Sequence, residues 1–322
     1  MSKPKVCLDF CDFWCNFPKT DNYYHNILQE RFDVQICDHA DFLIYGPYLH
    51  EHRLQSGVRI FASQESGPPD YDECDYSVSC LKIDDPRHFQ LPTYVFYGDS
   101  SLIVKQNEDP AQILASKKKF CSIVVSGQHP RKNRNRAEFF EKLSRYKPVD
   151  SGGRYKNNVG GPIQGGSKGK MEFLRSYKFN IAFENGSYPG YTTEKIWEAM
   201  AARTLPIYWG NPLIAEEFNP KSFLNRADFP SDEALIEKII ELDQDDEKYL
   251  AYTREPFFHG NRPNRFYNHG PFLDFFEKVF SREIVPVAQR RKRWFAPGRW
   301  RAAKRHHWHP QPRWISRPQT KP

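Results

Sequence analysis

Around residue 190 the chain concentrates side chains that could hold an anion. FNIAFENGSYPGYTTEKI runs from a strand-like stretch, Phe179 to Phe183, through a turn containing Gly186, Pro189 and Gly190. A helical pattern follows, with Thr192 or Thr193 placed to cap it. A helix N-terminus presents unpaired backbone N–H groups and a partial positive charge, so a phosphate finds donors there. Lys195, in the first turn, adds a full positive charge. Alone it opposes the helix dipole by about 0.3–1 kcal/mol, which a bound anion would offset. Glu194 agrees with the dipole: it is either helix-end stabilisation or an acceptor for ribose or sugar hydroxyls. Tyr191 and Asn185 are expected to supply polar contacts at the rim. Spacing alone gives an anion site and leaves its base and sugar open.

The elements that must position this site form an α/β pattern. KVCLDF, VQIC, FLIYG, VRIFAS, YSVSC and TYVFYG are short apolar runs rich in β-branched and aromatic residues, and a helix is expected from Tyr23 to Phe32. A polar interruption, KQNEDPAQ and then SKKK, puts a domain boundary near residue 115. FCSIVVSG then reads as a buried strand, leading through the basic turn QHPRKNRNR to the helix AEFFEKLSRY. The glycine-dense segment from Asp150 to Lys170 is either a mobile loop on the ligand side or a surface excursion. MEFLRSY is expected as helix, KFNIAFE as strand, TTEKIWEAMAA as helix and TLPIYWG as strand: half of a Rossmann-like layer. DEALIEKIIELD and DDEKYLAYTREP follow as helices, and GPFLDFFEKVF as an amphipathic helix packing back across the domains.

The formal net charge is +7 over 322 residues, but it is unevenly spread. From Ser281 onward there are 12 Lys and Arg and one acidic residue, Glu283, which leaves −4 for the rest. The globular part is therefore no polyanion-binding body. The tail from Gln289 mixes its cations with Trp294, Trp300, Trp308 and Trp314, while Pro297 and Pro310 interrupt any continuous helix. Such a segment is either an interfacial arm for anionic lipid or a solvated terminus. No run approaches the roughly 20 apolar residues of a membrane span. MSKPKVCLDF leaves no room for a secretory signal, so a cytoplasmic protein is expected. Seven cysteines, an odd number, point to reduced thiols.

The stretch from Lys178 to Asn225 resembles the donor-binding region of the alpha-1,3/4-fucosyltransferase family, with FEN, GYTTEKI, PIYWG and FNPKSF in the family's order. Weaker similarity runs upstream through Ser151-Gly152-Gly153 to about Arg59. The resemblance implies a GT-B fold of two facing Rossmann-like domains. Residues 1–115 would bind the acceptor, 116–280 would bind GDP-fucose, and 281–322 would form the basic aromatic tail. It puts the family's phosphate-contacting lysine on Lys195, its glutamate on Glu194, and its motif tyrosine and asparagine on Tyr191 and Asn185. The diphosphate arginine falls on Arg136, with Arg134 as the competing register.

The same resemblance assigns Glu65, in RIFASQESGP, as general base of an inverting displacement. A carboxylate there would take the acceptor hydroxyl's proton as the oxygen attacks the anomeric carbon; otherwise it is a solvated loop glutamate. The implied activity is an alpha-1,3-fucosyltransferase, with alpha-1,4 linkage open, acting on lactose or N-acetyllactosamine-type acceptors. Its implied products are Lewis-type fucosides, in a bacterium those of lipopolysaccharide O-antigen. Two D-x-D strings, Asp70 with Asp72 and Asp243 with Asp245, have the form that binds Mg²⁺ or Mn²⁺ in other glycosyltransferases. Their places in a turn and between helices mark them as surface chemistry, so no metal is required and a divalent ion is at most stimulatory. The expected partners are GDP-fucose, an oligosaccharide acceptor and, through residues 289–322, the inner face of an anionic membrane, with no nucleic acid. The rival readings are a GT-B enzyme using another nucleotide sugar, and a nucleic-acid-binding protein acting through the tail.

Overall fold

A computed structural model of the chain describes residues 2–127 and 130–290. In chain order its elements begin with β1 (Lys5–Cys11), α1 (Tyr23–Leu28), β2 (Asp33–Ile36), β3 (Phe42–Tyr45), β4 (Val58–Ser63), β5 (Tyr76–Ser79), β6 (His88–Gln90) and α2 (Pro110–Ser116). Then come β7 (Lys119–Ile123), α3 (Pro130–Leu143), β8 (Val149–Ser151), α4 (Gly166–Leu174), β9 (Tyr177–Phe183), α5 (Glu194–Ala201), β10 (Leu205–Trp209) and β11 (Leu224–Asn225). α6 (Asp232–Gln244), α7 (Asp246–Arg254), α8 (His269–Ser281) and α9 (Val287–Arg290) complete them.

Among the described residues the strands form two sheets, ordered β2-β1-β3-β4-β5-β6 and β11-β10-β9-β7-β8. Their pairings are parallel, as the alternation of short apolar runs with helices requires. Central strands are buried on both faces and so read as largely apolar runs, broken by Arg59 and Ser63 in β4 and by Lys178 and Asn180 in β9: every residue of β4 is buried, and β9 loses only Lys178 from its buried set. The second sheet's core joins Phe179, Ile181 and Phe183 of β9 to Phe139 and Leu143 of α3 and to Leu235, Ile239 and Leu242 of α6.

The chain divides into two compact units. The first holds residues 2–79, 83–91 and 268–290; the second holds Cys80–Lys82 and Pro92–Tyr267. The boundary expected near residue 115 therefore falls inside the second unit. TYVFYG, read as a strand, begins with a 3₁₀ turn over Thr93–Phe96 whose Thr93 N–H donates to Thr192 O at 3.1 Å, and α2 packs on α7. These contacts tie the segment to the second sheet. α8 belongs to the first unit, where Phe272 meets Phe89 edge to face with ring centroids 5.5 Å apart.

Two further expectations are corrected. Cys7 on β1 and Cys37 just past β2 are joined as a disulfide, their Cα atoms 5.7 Å apart, because parallel pairing of β1 with β2 brings them side by side. The other described cysteines are free. The glycine-dense segment is laced to the sheet rather than loose: Asn158 Oδ1 accepts from Ser151 N–H at 2.6 Å and Ile163 N–H donates to Gly152 O at 2.9 Å. Gly153 lies so close to β7's continuation that a Cβ there would sit 2.0 Å from Val125 O.

Candidate active site at the end of strand β9

β9 is flanked in the sheet by β7 and β10, and its C-terminal end opens onto the start of α5. In parallel α/β sheets ligands gather beyond such carboxyl ends. The first residue past β9 is Glu184, fully buried. Its carboxylate accepts from Thr193 N–H at 2.8 Å and faces the Thr193 hydroxyl at 2.7 and 2.9 Å. Thr193 occupies the N-cap of α5, yet its hydroxyl makes no capping bond. Glu184 takes its place as the anion at this helix end.

Lys195 closes the same cluster. Its Nζ lies 3.0 Å from Glu184 Oε2, 2.7 Å from Thr193 Oγ1 and 3.5 Å from Glu194 Oε1. The conflict between Lys195 and the helix dipole is thus already answered by a buried carboxylate. Burial pulls the Lys195 pKa down, the charges of Glu184 and Glu194 push it up, and the net position is above the ordinary lysine value. Burial would raise Glu194, but Lys195 and Lys170 outweigh it and hold the carboxyl down at about 2.

Arg136 enters from α3 and is 2% exposed. Its Nε donates to Phe183 O at 3.0 Å, one terminal nitrogen to Asn133 Oδ1 at 3.0 Å and the other to Asn185 Oδ1 at 2.5 Å. Those bonds use three of the five guanidinium N–H groups. Burial lowers the Arg136 pKa while Glu184, Tyr191 and Glu194 favour its charge. Arg134 is elsewhere: it is exposed and pairs with Glu138 at 2.9 Å. On the far side, α4 supplies Lys170, in contact with Glu198 and 3.9 Å from Glu194.

The turn into α5 rests on a buried polar layer. Gly190, at φ +84°, donates to Asn211 Oδ1 at 2.8 Å; the Asn211 amide donates to Thr192 Oγ1 and Glu217 Oε1, each at 3.0 Å. Burial pushes the Glu217 carboxyl up to about 8.

Of the residues singled out in the sequence, Arg136, Asn185, Glu194 and Lys195 therefore meet in one cluster. Tyr191, expected at the rim, is 1% exposed: its ring is packed edge to face against Tyr188 instead. Glu65 lies in the first unit, two residues past β4 and half-buried, its N–H donating to Ser63 Oγ at 3.0 Å. Burial, with the Glu65 charge added, pushes the Tyr48 phenol up to about 12. Asp70 and Asp72 form a local turn, with Asp72 N–H on Asp70 Oδ1 at 2.9 Å. Asp243, expected at the surface, has a side chain only 5% exposed and holds Lys147 and the Tyr146 hydroxyl, while Asp245 caps α7. The tail's four tryptophans lie outside the described residues.

Glu184, Lys170 and Glu198 were not singled out, and Thr193 only as a helix cap, a position it holds without making the capping bond. A charge directly after the apolar run FNIAF was a signal for Glu184, since a carboxylate ending a buried strand needs a partner. Lys170 carried none, sitting at the end of a segment read as loop.

Two parallel-sheet Rossmann-like units, one with a buried cation cluster between a strand end and a helix start, define a GT-B glycosyltransferase architecture. Residues 8–97 match the model of the alpha-(1,3)-fucosyltransferase FucT N-terminal domain, and residues 114–255 that of the glycosyltransferase family 10 (fucosyltransferase) C-terminal region. The chain belongs to that family of fucosyltransferases. It is 30% identical over 265 residues to the alpha-(1,3)-fucosyltransferase FucT of Helicobacter pylori, covering 71% of this chain and 55% of that protein. To 4-galactosyl-N-acetylglucosaminide 3-alpha-L-fucosyltransferase FUT6 of Homo sapiens it is 34% identical over 152 residues, 46% of this chain and 40% of that one. The chain thus spans about half the length of these curated relatives. A crystal structure of an alpha1,3-fucosyltransferase with GDP-fucose superimposes with a TM-score of 0.73 at 25% identity, over 89% of this chain and 94% of that one.

Proposed function

We propose that this protein transfers L-fucose from GDP-β-L-fucose, with inversion, to a GlcNAc or Glc hydroxyl of lactose or N-acetyllactosamine-type acceptors, forming alpha-1,3 links and Lewis-type products. The observation that carries the reading is the meeting of Lys195, Arg136 and Asn185 at the N-terminus of α5, in a family with a GDP-fucose-bound structural relative. The acceptor oxygen forms a bond to the anomeric carbon as the bond from that carbon to the β-phosphate oxygen breaks. Glu65 takes the acceptor's proton, and the electron pair leaves with GDP.

The leaving group is already a weak base, so charge stabilisation rather than protonation lowers the barrier. Lys195, the first-turn N–H groups of α5 and the two remaining N–H groups of Arg136 are the donors for the diphosphate. Asn185 fixes the guanidinium plane, and Glu194 accepts from ribose or fucose hydroxyls. No metal ion has a role in this scheme. Residues 289–322 are proposed to hold the enzyme at an anionic membrane face, on the cytoplasmic side, by cation and indole contacts.

The decisive experiment incubates the full chain with GDP-fucose and, separately, other nucleotide sugars, using lactose and N-acetyllactosamine as acceptors and linkage analysis of products. Alpha-linked fucose on O3 from GDP-fucose is expected. Product from another nucleotide sugar alone would replace the donor assignment, and fucose on any hydroxyl other than O3 of the Glc or GlcNAc would replace the regiochemistry.

A further inference from the structure

We infer that Lys170 is a positioning residue of the donor site, holding the carboxylates of Glu194 and Glu198 so that Glu194 stays ionised and turned toward the donor. The inference rests on the donor reading given above.

Glu184, Glu194 and Glu198 crowd the start of α5, and the cations gathered with them are Lys195, Arg136 and Lys170. Glu184 is committed to Lys195 and Thr193. Glu194 and Glu198 lie one turn apart on the same helix face, where like charges repel. Glu198 is 1% exposed, so water cannot screen that repulsion. Lys170 lies between them, in contact with Glu198 Oε2 and 3.9 Å from Glu194 Oε1. Burial and the Glu194 charge push the Glu198 carboxyl up against the pull of Lys170, so without that cation Glu194 would lose its partner on this side of the helix and the pair its fixed geometry.

The glycine-dense segment is built to deliver this cation. Gly165 and Gly166 take left-handed φ values of +86° and +58°, and at Gly169 a Cβ would lie 1.9 Å from Gln164 O. Only glycine allows the chain to turn this tightly into α4, and the next residue is Lys170. The side chain is 14% exposed and faces α5. It acts through Glu194 and does not itself touch the donor.

The test measures GDP affinity by calorimetry, and KM for GDP-fucose and kcat, on the full chain carrying Lys170→Met, Lys170→Arg or Lys170→Met with Glu198→Gln. Lys170→Met should raise the GDP-fucose KM roughly tenfold, with kcat changed less than about threefold. Lys170→Arg should restore the KM, because it restores the cation. The double variant should also restore it, because neutral isosteres remove both the charge and its counter-charge. Wild-type KM in Lys170→Met, even with a lowered Tm, would reduce Lys170 to a structural residue and overturn the inference. A loss that the double variant fails to restore would mean direct contact with the donor and overturn it equally. Should Lys170→Met not fold, the double variant and Lys170→Arg still carry the comparison. A wild-type chain that binds no GDP would overturn the donor reading itself, and this inference with it.

Discussion

The guanidinium of Arg136 and the amide of Asn185 meet at 2.5 Å, joining the middle of α3 to the turn after β9. The same guanidinium holds the last carbonyl of that strand, Phe183 O, at 3.0 Å. One planar cation thus fixes both the strand end and the turn that line the site.

A lysine cannot reproduce that arrangement, because a single ammonium cannot address three acceptors in one plane. Arg136→Lys should lower kcat/KM for fucosyl transfer by roughly 10²-fold or more, about 3 kcal/mol of transition-state stabilisation. Arg134→Ala, at an exposed position, should stay within about twofold. Steady-state kinetics of both variants, with circular dichroism to verify folding, checks the assignment; equal losses would return the role to Arg134.

Lys195 should have two separable roles. Lys195→Ala leaves Glu184 buried and without its cation, at a cost of roughly 3–5 kcal/mol in stability together with loss of transfer. Lys195→Met combined with Glu184→Gln should recover most of the stability and none of the turnover. Urea unfolding and activity, measured on the same samples, distinguish the two; activity in the double variant would remove Lys195 from the chemistry.

Glu65→Gln should keep GDP affinity, since its residue lies in the first unit and the cation cluster in the second. Turnover should fall by about 10²–10⁴-fold, the usual contribution of a general base. Calorimetric GDP binding alongside a transfer assay makes the comparison, and retained turnover would dismiss Glu65 from that role.

Glu217 predicts a pH dependence of stability. Its carboxyl is pushed by burial from an ordinary 4.5 up to about 8, so the folded state binds the proton more tightly than the unfolded chain. This contribution is fully present below pH 4.5 and is lost as pH rises toward 8. Glu217→Gln keeps the neutral hydrogen-bonding side chain and should flatten the fall in Tm between those limits. An unchanged slope across a thermal-shift series would place the origin elsewhere.

The tail makes a prediction of its own. Truncation after Glu283 should release the protein from anionic vesicles while activity on soluble acceptors is largely kept. Vesicle sedimentation of wild type and truncation decides it, and a wild-type chain that never sediments would end the membrane proposal.

What could be read in the sequence follows from which interactions are local. β4 and β9 were legible because burial on both faces leaves a short, largely apolar run, and Lys195 because a cation at a helix start violates a local rule. β6 and β11 were missed: at three and two residues they are stabilised by pairing with β5 and β10, not by their own pattern. TYVFYG has strand composition, yet its start is bent into a 3₁₀ turn by packing, with Tyr94 fully buried against Phe218 at a centroid distance of 5.1 Å. The site divides in the same way. Residues inside GYTTEKI were visible as a group, whereas Lys170 reaches Glu198 from a separate helix, a contact fixed only once α4 packs on α5.

The ion pair of Glu184 with Lys195 has one more consequence. Glu184 is a competitor tethered to the protein, present beside the ammonium at an effective concentration of millimolar order or above. A stray anion that offers charge alone must outcompete it to reach Lys195, and at lower concentrations it will not. In the proposed donor site a nucleotide sugar would bring further contacts that a bare phosphate lacks, and these would let it displace or share the carboxylate's place. On that reading the buried glutamate would act as a selectivity threshold, keeping the lysine from simple anions and yielding it to a ligand that binds at several points at once.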